Sequence, residues 1–364
     1  MILITGSTGL LGAHTLYRLL QQHDRVAALK RPAGRLDTLR EIFSFYTDDI
    51  DSLMHRIEWR EGDLLDRASI ELALKDVDVV VNCAAIVSFN PRDRKQLIEN
   101  NVEGTRNLVE AIIAKRENKV EGVDKSGGDV LFIHISSTSA LGDAPGKDPD
   151  FLVDEETPRD PKRKHSGYSV SKYRSEQVVW DAIREHQLPA VILNPGIILG
   201  PGQWTKGSSQ LFVKAWEGLK YYPYGGTGYV DVRDVAEVVT TFCTPPYEGG
   251  GKTTPWPPPY EGGGRYCLVG ANLRYKEFFD RVTDEYGKPN PTVYAGPFLS
   301  GLAWRMDTLR ARLTGRYPLI TRETAEAAQR IQFYSSEKIK KALGFRFRPV
   351  EETIRWCADA YKKQ

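Results

Sequence analysis

Thr5-Gly6-Ser7-Thr8-Gly9-Leu10-Leu11-Gly12 follows directly on the apolar run Ile2-Leu3-Ile4 and opens a helical pattern over 12–22. Glycines at this spacing, between a buried strand and a helix, have a physical reading. Gly6 permits a tight turn, Gly9 lets a pyrophosphate approach the backbone, and Gly12 lets helix and strand pack closely. The helix N-terminus then offers unpaired N–H groups to phosphates. A glycine triplet alone is weak evidence, but its place between strand and helix predicts nucleotide binding in this first βα unit.

Working outward, the same strand–turn–helix pattern repeats to about residue 195. Apolar runs at 25–29, 78–83, 130–135 and 190–194 read as buried strands, and 67–75, 96–116 and 169–186 read as helices between them. That alternation predicts an α/β fold: a Rossmann-type, doubly wound parallel sheet covered by helices on both faces. Residues 1–194 are expected to form a dinucleotide-binding domain, with return segments near 227–243 and 265–271. Residues 195–226 and 272–364 are expected to form a smaller, mostly helical substrate lobe, with helical patterns near 208–220, 274–286, 322–331 and 335–343. PPYEGGG occurs at 245–251 and again at 258–264, so 245–264 reads as a Pro/Gly-rich surface loop. The polar stretch 117–129 reads as a second loop.

Composition narrows the function classes. Of 364 residues, 41% are hydrophobic and 27% charged, which fits a globular protein and excludes a disordered or collagen-like chain. Fifty basic residues against 48 acidic ones give a net charge of +2, scattered along the chain, so no nucleic-acid partner is expected. The cysteines (Cys83, Cys243, Cys267, Cys357) form no CxxC pair and the six histidines no HxH or HExxH spacing, so no metal site is expected. No apolar stretch approaches the roughly 20 residues that cross a bilayer. With Met1 running straight into the first strand, the expectation is a cytoplasmic protein acting on a small molecule; assembly as a homodimer stays open.

The end of the second strand bears on the nucleotide. Val26-Ala27-Ala28-Leu29 is followed by Lys30 and Arg31, where a carboxylate would hold the ribose hydroxyl of NAD. A guanidinium suits the extra 2′-phosphate of NADP, so NADP is favoured, with NAD as the alternative. Asp63-Leu64, after a third strand, would lie beside the adenine; a turn or cap role for Asp63 is equally open.

A second signal is Tyr168-Ser-Val-Ser-Lys172, in which phenol and ammonium lie one helical turn apart on the same face. Upstream, Ile135-Ser136-Ser137-Thr138 ends a strand in hydroxyls at the sheet edge where ligands bind. Asn101, in Asn100-Asn101-Val102-Glu103-Gly104-Thr105, adds a polar group on the preceding helix.

Together these motifs resemble the extended short-chain dehydrogenase/reductase family, also called the NAD-dependent epimerase/dehydratase family. The resemblance is carried by TGSTGLLG (5–12), GDL (62–64), NCAA (82–85), NNVEGT (100–105), SST (136–138), YSVSK (168–172), NPGIILGPG (194–202) and YVDVRDVA (229–236). Lys30-Arg31 and the tail at 333–354 are most similar to the dihydroflavonol reductase and 3β-hydroxysteroid dehydrogenase branch. The resemblance implies Ser137, Tyr168 and Lys172, with Asn101, as the catalytic group. It implies cofactor contacts at Gly6, Ser7, Thr8, Gly9, Leu10, Leu11, Gly12, Lys30, Arg31, Asp63, Leu64, Ala84, Ala85, Tyr168, Lys172, Pro195, Gly196, Ile197 and Ile198.

The chemistry supports those roles independently. A carbonyl that accepts hydride develops negative charge on oxygen, which calls for a proton and hydrogen-bond donors. Tyr168 can give the proton, Ser137 can hold the oxygen, and the Lys172 cation is expected to draw the phenol pKa toward neutrality. The expected function is interconversion of a ketone or aldehyde with its alcohol. A nucleotide-sugar epimerase or dehydratase and a non-catalytic dinucleotide sensor are the alternatives. Trp204, Phe212, Trp216, Tyr221, Tyr222 and Tyr224 suit a flat apolar substrate, but ordinary packing of the smaller lobe is the favoured reading.

Overall fold

In a buried strand successive side chains point to opposite faces, so the central strands of a sheet covered on both sides are apolar at most positions. The computed structural model, which describes residues 1–117, 130–146, 148, 150–243, 264–314 and 321–363, shows this arrangement. Its main strands are β1 (Ile2–Thr5), β2 (Val26–Lys30), β3 (Ile57–Glu61), β4 (Val79–Asn82), β5 (Leu131–Ile135), β6 (Ala190–Pro195), β7 (Ile197–Leu199), β8 (Gly226–Asp231), β9 (Arg265–Leu268) and β10 (Ala271–Arg274). Seven of them form one parallel sheet in the order β9-β6-β5-β4-β1-β2-β3. This is the Rossmann-type doubly wound sheet. The reversal of strand order between β1 and β4 opens the crevice in which such sheets bind ligands.

The helices that matter for the site are α1 (Leu10–Leu20), α2 (Asp37–Ser44), α3 (Arg67–Ala73), α4 (Gly104–Glu117), α5 (Gly167–His186), α6 (Gln210–Glu217), α7 (Val232–Cys243), α8 (Tyr275–Glu285), α9 (Pro297–Thr314) and α10 (Val350–Lys362). Ile2, Ile4, Val26, Ala28, Val81, Ile133, Val191 and Leu193 pack under α1, α2 and α7. The intervening residues Leu3, Ala27, Val80, Phe132 and Ile192 pack under α3, α4 and α5. One alternating pattern therefore builds both cores.

After β6 the chain leaves the large sheet. β10, β8 and β7 form a three-stranded sheet, with β8 parallel to β7 and antiparallel to β10. A separate core gathers Trp204, Phe212, Tyr229, Phe278 and Ile354 beneath α6, α8 and α10. Arg233 joins this region to the C-terminal helix: it pairs with Asp231 at 2.6 Å and Glu352 at 3.0 Å, and lies 4.2 Å over the Trp356 ring. Asp231 also accepts from Thr353 Oγ1 at 2.8 Å, and Asp234 pairs with Arg348. Phe298, Leu302, Met306 and Leu309 are exposed on α9. No described helix is long and apolar enough to cross a membrane. Apart from Gly264 and Glu117, the two loops expected at 245–264 and 117–129 lie outside the described residues.

The first turn shows why its glycines are there. Gly6 has φ +66°, and a Cβ on it would meet Ala84 N at 2.6 Å. A Cβ on Gly12 would sit 2.1 Å from the Gly6 carbonyl oxygen. Helix and turn touch backbone to backbone, with no room for a methyl group. Gly12→Ala should therefore cost roughly 1–3 kcal/mol by overpacking. At about 2–4 °C per kcal/mol for a protein of this size, the melting midpoint should fall by roughly 2–12 °C, as thermal unfolding followed by circular dichroism would show; an unchanged midpoint would mean the turn can relax away from the helix.

Candidate active site

The glycine turn is held to the neighbouring strand by polar side chains. Thr5 Oγ1 donates to Asn82 Oδ1 at 2.6 Å and accepts from Ala84 N at 3.3 Å. α1 begins at Gly9 with no side-chain cap and no acid in its first turn, so its end is open to an anion. In front of it lies a cavity of about 1000 Å³. Gly6, Thr8, Gly9, Lys30, Arg31, Asp63, Leu64, Ala84 and Ala85 all line it, each placed by sequence reasoning at the cofactor. Asp63 lines the cavity and also accepts from Leu65 N at 3.0 Å, the turn role the sequence left open.

Other expected cofactor residues are elsewhere. Ser7, Leu11 and Gly12 are buried, and Leu10 and Leu11 pack into the core under α1. Tyr168, Lys172, Pro195, Gly196, Ile197 and Ile198 are not part of the cavity lining. Gly196 instead sits against the backbone of β8, where a Cβ would meet Gly228 O at 2.5 Å.

Sequence reasoning missed two stretches of the lining. Ala33, Gly34, Arg35, Asp37, Thr38 and Glu41 come from the turn after β2 and the start of α2; Gln203, Trp204, Thr205 and Lys206 come from the turn after β7. The cation Arg35 and the Gly200-Pro201-Gly202 turn were the available signals.

The cavity's charge is consistent with a phosphorylated ligand. Lys30 approaches Glu61 at 3.8 Å, beyond hydrogen-bond range, and Arg31 is exposed with no ion pair among the described residues. The residues present thus suit a dinucleotide: a backbone cradle at Gly6, an open helix end and cations near the end of β2.

Ser137 and Tyr168 come together beyond the end of β5, where the Ser137 hydroxyl lies near enough to the phenol to favour its ionised form. Ser137 Oγ also accepts from Ser139 N at 3.2 Å. Ser136 Oγ is buried without a partner, so of the two adjacent serines it is Ser137 that faces the phenol. Phe89 covers the ring edge-on at 5.7 Å between centroids.

Lys172 corrects one expectation. It is buried, and its ammonium donates to Ile135 O at 2.6 Å. Burial lowers its pKa to about 8, opposed by the charge of Glu176 and, less, of Cys83. The Tyr168 phenol is not drawn toward neutrality: burial pushes its pKa up to about 12, with the Ser137 hydroxyl opposing. The ammonium is turned to the Ile135 carbonyl, and desolvation of the phenol dominates.

Asn101 sits in a stretch of π-helix, Glu99–Glu103, a geometry that is frequent at functional sites. Its oxygen accepts from Ile86 N at 2.8 Å, and its amide donates to Ile86 O at 2.9 Å and Ser171 Oγ at 3.0 Å. All of its hydrogens are committed to the protein.

A buried polar chain, absent from the sequence reading, runs beneath the site. Asn82 Nδ2 meets His134 Nδ1 at 3.3 Å, His134 Nε2 meets Ser175 Oγ at 3.2 Å, and Ser175 Oγ donates to Lys172 O at 2.8 Å. Burial, with the Lys172 charge adding, holds the imidazole pKa well below its usual value. Beside it, Asn194 Nδ2 reaches Glu176 at 2.5 Å and Ser137 O at 2.9 Å, linking β6 to the serine turn.

The family profile for NAD dependent epimerase/dehydratase matches residues 2–254. Sterol demethylase protein B of Methylococcus capsulatus is 28% identical over 318 residues, 86% of this chain and 83% of that protein. Cinnamoyl-CoA reductase 1 of Petunia hybrida is 29% identical over 194 residues, and there the match spans only about half of each chain, 52% of this one and 54% of that one. The crystal structure of gox2253 superposes with a TM-score of 0.74 at 29% identity, over 100% of this chain and 98% of that one.

A phenol raised to about 12 is fully protonated near neutrality. Without dinucleotide, the difference in near-ultraviolet phenolate absorbance between wild type and Tyr168→Phe should be flat through about pH 9, a unit below an ordinary tyrosine. A phenolate signal emerging near neutrality would show that Lys172 governs the phenol after all.

Proposed function

Because the chain belongs to the NAD-dependent epimerase/dehydratase family, we propose that it is an NADP(H)-dependent oxidoreductase interconverting a ketone or aldehyde with its alcohol. The observation that carries this reading is Ser137 and Tyr168 brought together beyond β5, in a fold that also holds a dinucleotide-sized cavity with cations at the end of β2. The relatives support an NAD(P)-dependent reductase or dehydrogenase, among them cinnamoyl-CoA reductase 1 of Petunia hybrida.

When bound, the dinucleotide supplies or accepts the hydride. The protein's part is to hold the carbonyl and move the proton. Ser137 Oγ donates to the substrate oxygen, and Tyr168 Oη gives that oxygen its proton as negative charge develops there. A phenol that keeps its proton at neutral pH is suited to the reducing direction. Lys172, one helical turn from Tyr168, would be the cation that holds the nicotinamide ribose and so orients the reacting ring. Asn101 is a positioning residue rather than a catalytic one, since it ties the Ile86 loop to the turn of α5 that carries Lys172. Gly6, Thr8 and Gly9 cradle the pyrophosphate, and Lys30 and Arg31 select the 2′-phosphate.

Residues 195–226 and 272–364 form the substrate side in this reading. Exposed Val87 and Phe89, the latter on the Tyr168 ring, favour an apolar or aromatic substrate. The separate core around Trp204 and Phe212 assigns those two aromatics to packing instead.

NADPH consumption over a panel of aldehydes, ketones and sugar nucleotides tests the proposal. Net oxidation of NADPH by a carbonyl compound is expected. Sugar conversion with no net change in cofactor would overturn it. Tyr168→Phe should keep cofactor binding while turnover falls roughly 100- to 10,000-fold, the scale of a lost general acid. For the cofactor, Arg31→Ala should weaken NADPH about tenfold, the equivalent of 1.4 kcal/mol, and leave NADH nearly unchanged. Equal wild-type affinity for both dinucleotides would remove the NADP assignment.

A further inference from the structure

The turn after β7 belongs by sequence to the substrate side, yet it is fastened to the dinucleotide side at three places. Pro201 O meets His14 Nε2 of α1 at 3.1 Å, and Gln203 Nε2 donates to Thr8 O of the glycine turn at 3.1 Å. Gly202, at φ +110°, lies so close to α2 that a Cβ would meet Ile42 Cγ1 at 2.6 Å. Gln203 itself has φ +53°, a left-handed conformation uncommon for a residue with a side chain. Such positions cost free energy and cluster where a ligand is clamped.

The other side of the turn is anchored too. Trp204 is buried in the second core and packs 5.0 Å from the Tyr361 ring of α10. Lys206 N closes the turn onto Gln203 O at 2.8 Å, and the residue lines the same cavity as Arg31 and Gly34. The Lys206 side chain has no ion pair among the described residues. The carboxylates of the lining are Asp37, which pairs with Arg35 at 2.6 Å, Asp63, which binds Leu65 N, and Glu41.

We propose that Pro201–Lys206 is a clasp across the adenosine end of the dinucleotide cavity, in which Gln203 latches the glycine turn and Lys206 gives a cation to a cofactor phosphate. The proposal rests on the dinucleotide reading of the cavity and extends it to residues beyond the nucleotide-binding motifs. The strained, doubly anchored backbone holds the clasp in place before the ligand arrives, so little ordering remains to oppose binding. An ammonium meeting a phosphate there forms a charge-assisted hydrogen bond, stronger than a neutral one.

Titration of NADPH and NADH into wild type, Lys206→Met and Lys206→Arg tests this directly. Lys206→Met should weaken NADPH about three- to tenfold, and Lys206→Arg should restore most of that affinity. A loss confined to NADPH assigns the cation to the 2′-phosphate; an equal loss for NADH assigns it to the pyrophosphate. Gln203→Leu should weaken both dinucleotides alike without lowering the melting midpoint. If wild type binds neither dinucleotide, the reading of the cavity fails and the clasp with it. If wild type binds and Lys206→Met binds as tightly, the clasp alone is wrong.

Discussion

The site depends on one directional chain of buried hydrogen bonds that crosses three strands and ends on the helix of Tyr168. Ala84 N–H donates to Thr5, Thr5 to Asn82 Oδ1, the Asn82 amide to His134 Nδ1, His134 Nε2 to Ser175, and Ser175 to Lys172 O. The chain is consistent only if His134 is neutral with its proton on Nε2, a tautomer assigned from the network. The depressed imidazole pKa agrees with that state. Inside a low-dielectric sheet each unmade bond would cost about 1–3 kcal/mol, so the members hold one another in register. The glycine turn, β4, β5 and α5 are thereby fixed relative to each other before any ligand binds.

Lys172 extends the same logic. A buried ammonium is expensive unless it is paired and hydrogen-bonded. Here it has the Ile135 carbonyl at 2.6 Å and the buried Glu176 one helical turn further along α5. Glu176 is itself held by Asn194 and by Arg265 at 3.4 Å. Its folded pKa of about 8 lies below the free lysine value, so the unfolded chain binds more protons between about pH 8 and 10.5. Over that window its contribution makes the fold more stable as pH rises. The same burial makes Lys172 a cation whose charge is held in reserve against a carbonyl rather than spent on the phenol.

How much of this the sequence disclosed follows from the range of the interactions. The glycine turn was legible because its constraints act within seven residues: Gly12 meets Gly6, and Gly6 meets only one other strand end. Tyr168 and Lys172 were legible because one helical turn fixes their spacing, and Ser137 because it ends the adjacent strand. The strand runs were legible from apolar alternation, and the structure places them within a residue or so of the expected ends. Gln203, Lys206 and Arg35 reach the cavity through tertiary folding, which no local pattern encodes. Asn101 was noticed for its polarity, but only the structure shows its amide committed to Ile86 and Ser171. The pKa of Tyr168 was misjudged for a related reason. Spacing shows that an ammonium is near, while its direction and the desolvation around the phenol are three-dimensional facts.

The two ends of the site differ in electrostatic character, and the difference divides the work. Toward α2 the cavity carries Lys30, Arg31, Arg35 and Lys206, all at least partly reached by solvent. Charges in such a setting attract phosphates at long range and are weakened by salt. Toward α5 the groups are a protonated phenol, a serine hydroxyl and the exposed ring of Phe89. A poorly solvated end strengthens any hydrogen bond aimed at a developing oxyanion. A carbonyl compound with an apolar body covers that end and excludes water from it as it binds, whereas a substrate carrying its own diphosphate would need a second set of cations there. The side chains of Ser137 and Phe89, which meet the Tyr168 ring, are uncharged. On the proposed reading, exposed cations recognise the cofactor at one end, and at the other the buried Lys172 ammonium is held at the Ile135 carbonyl, leaving the phenol its proton to give.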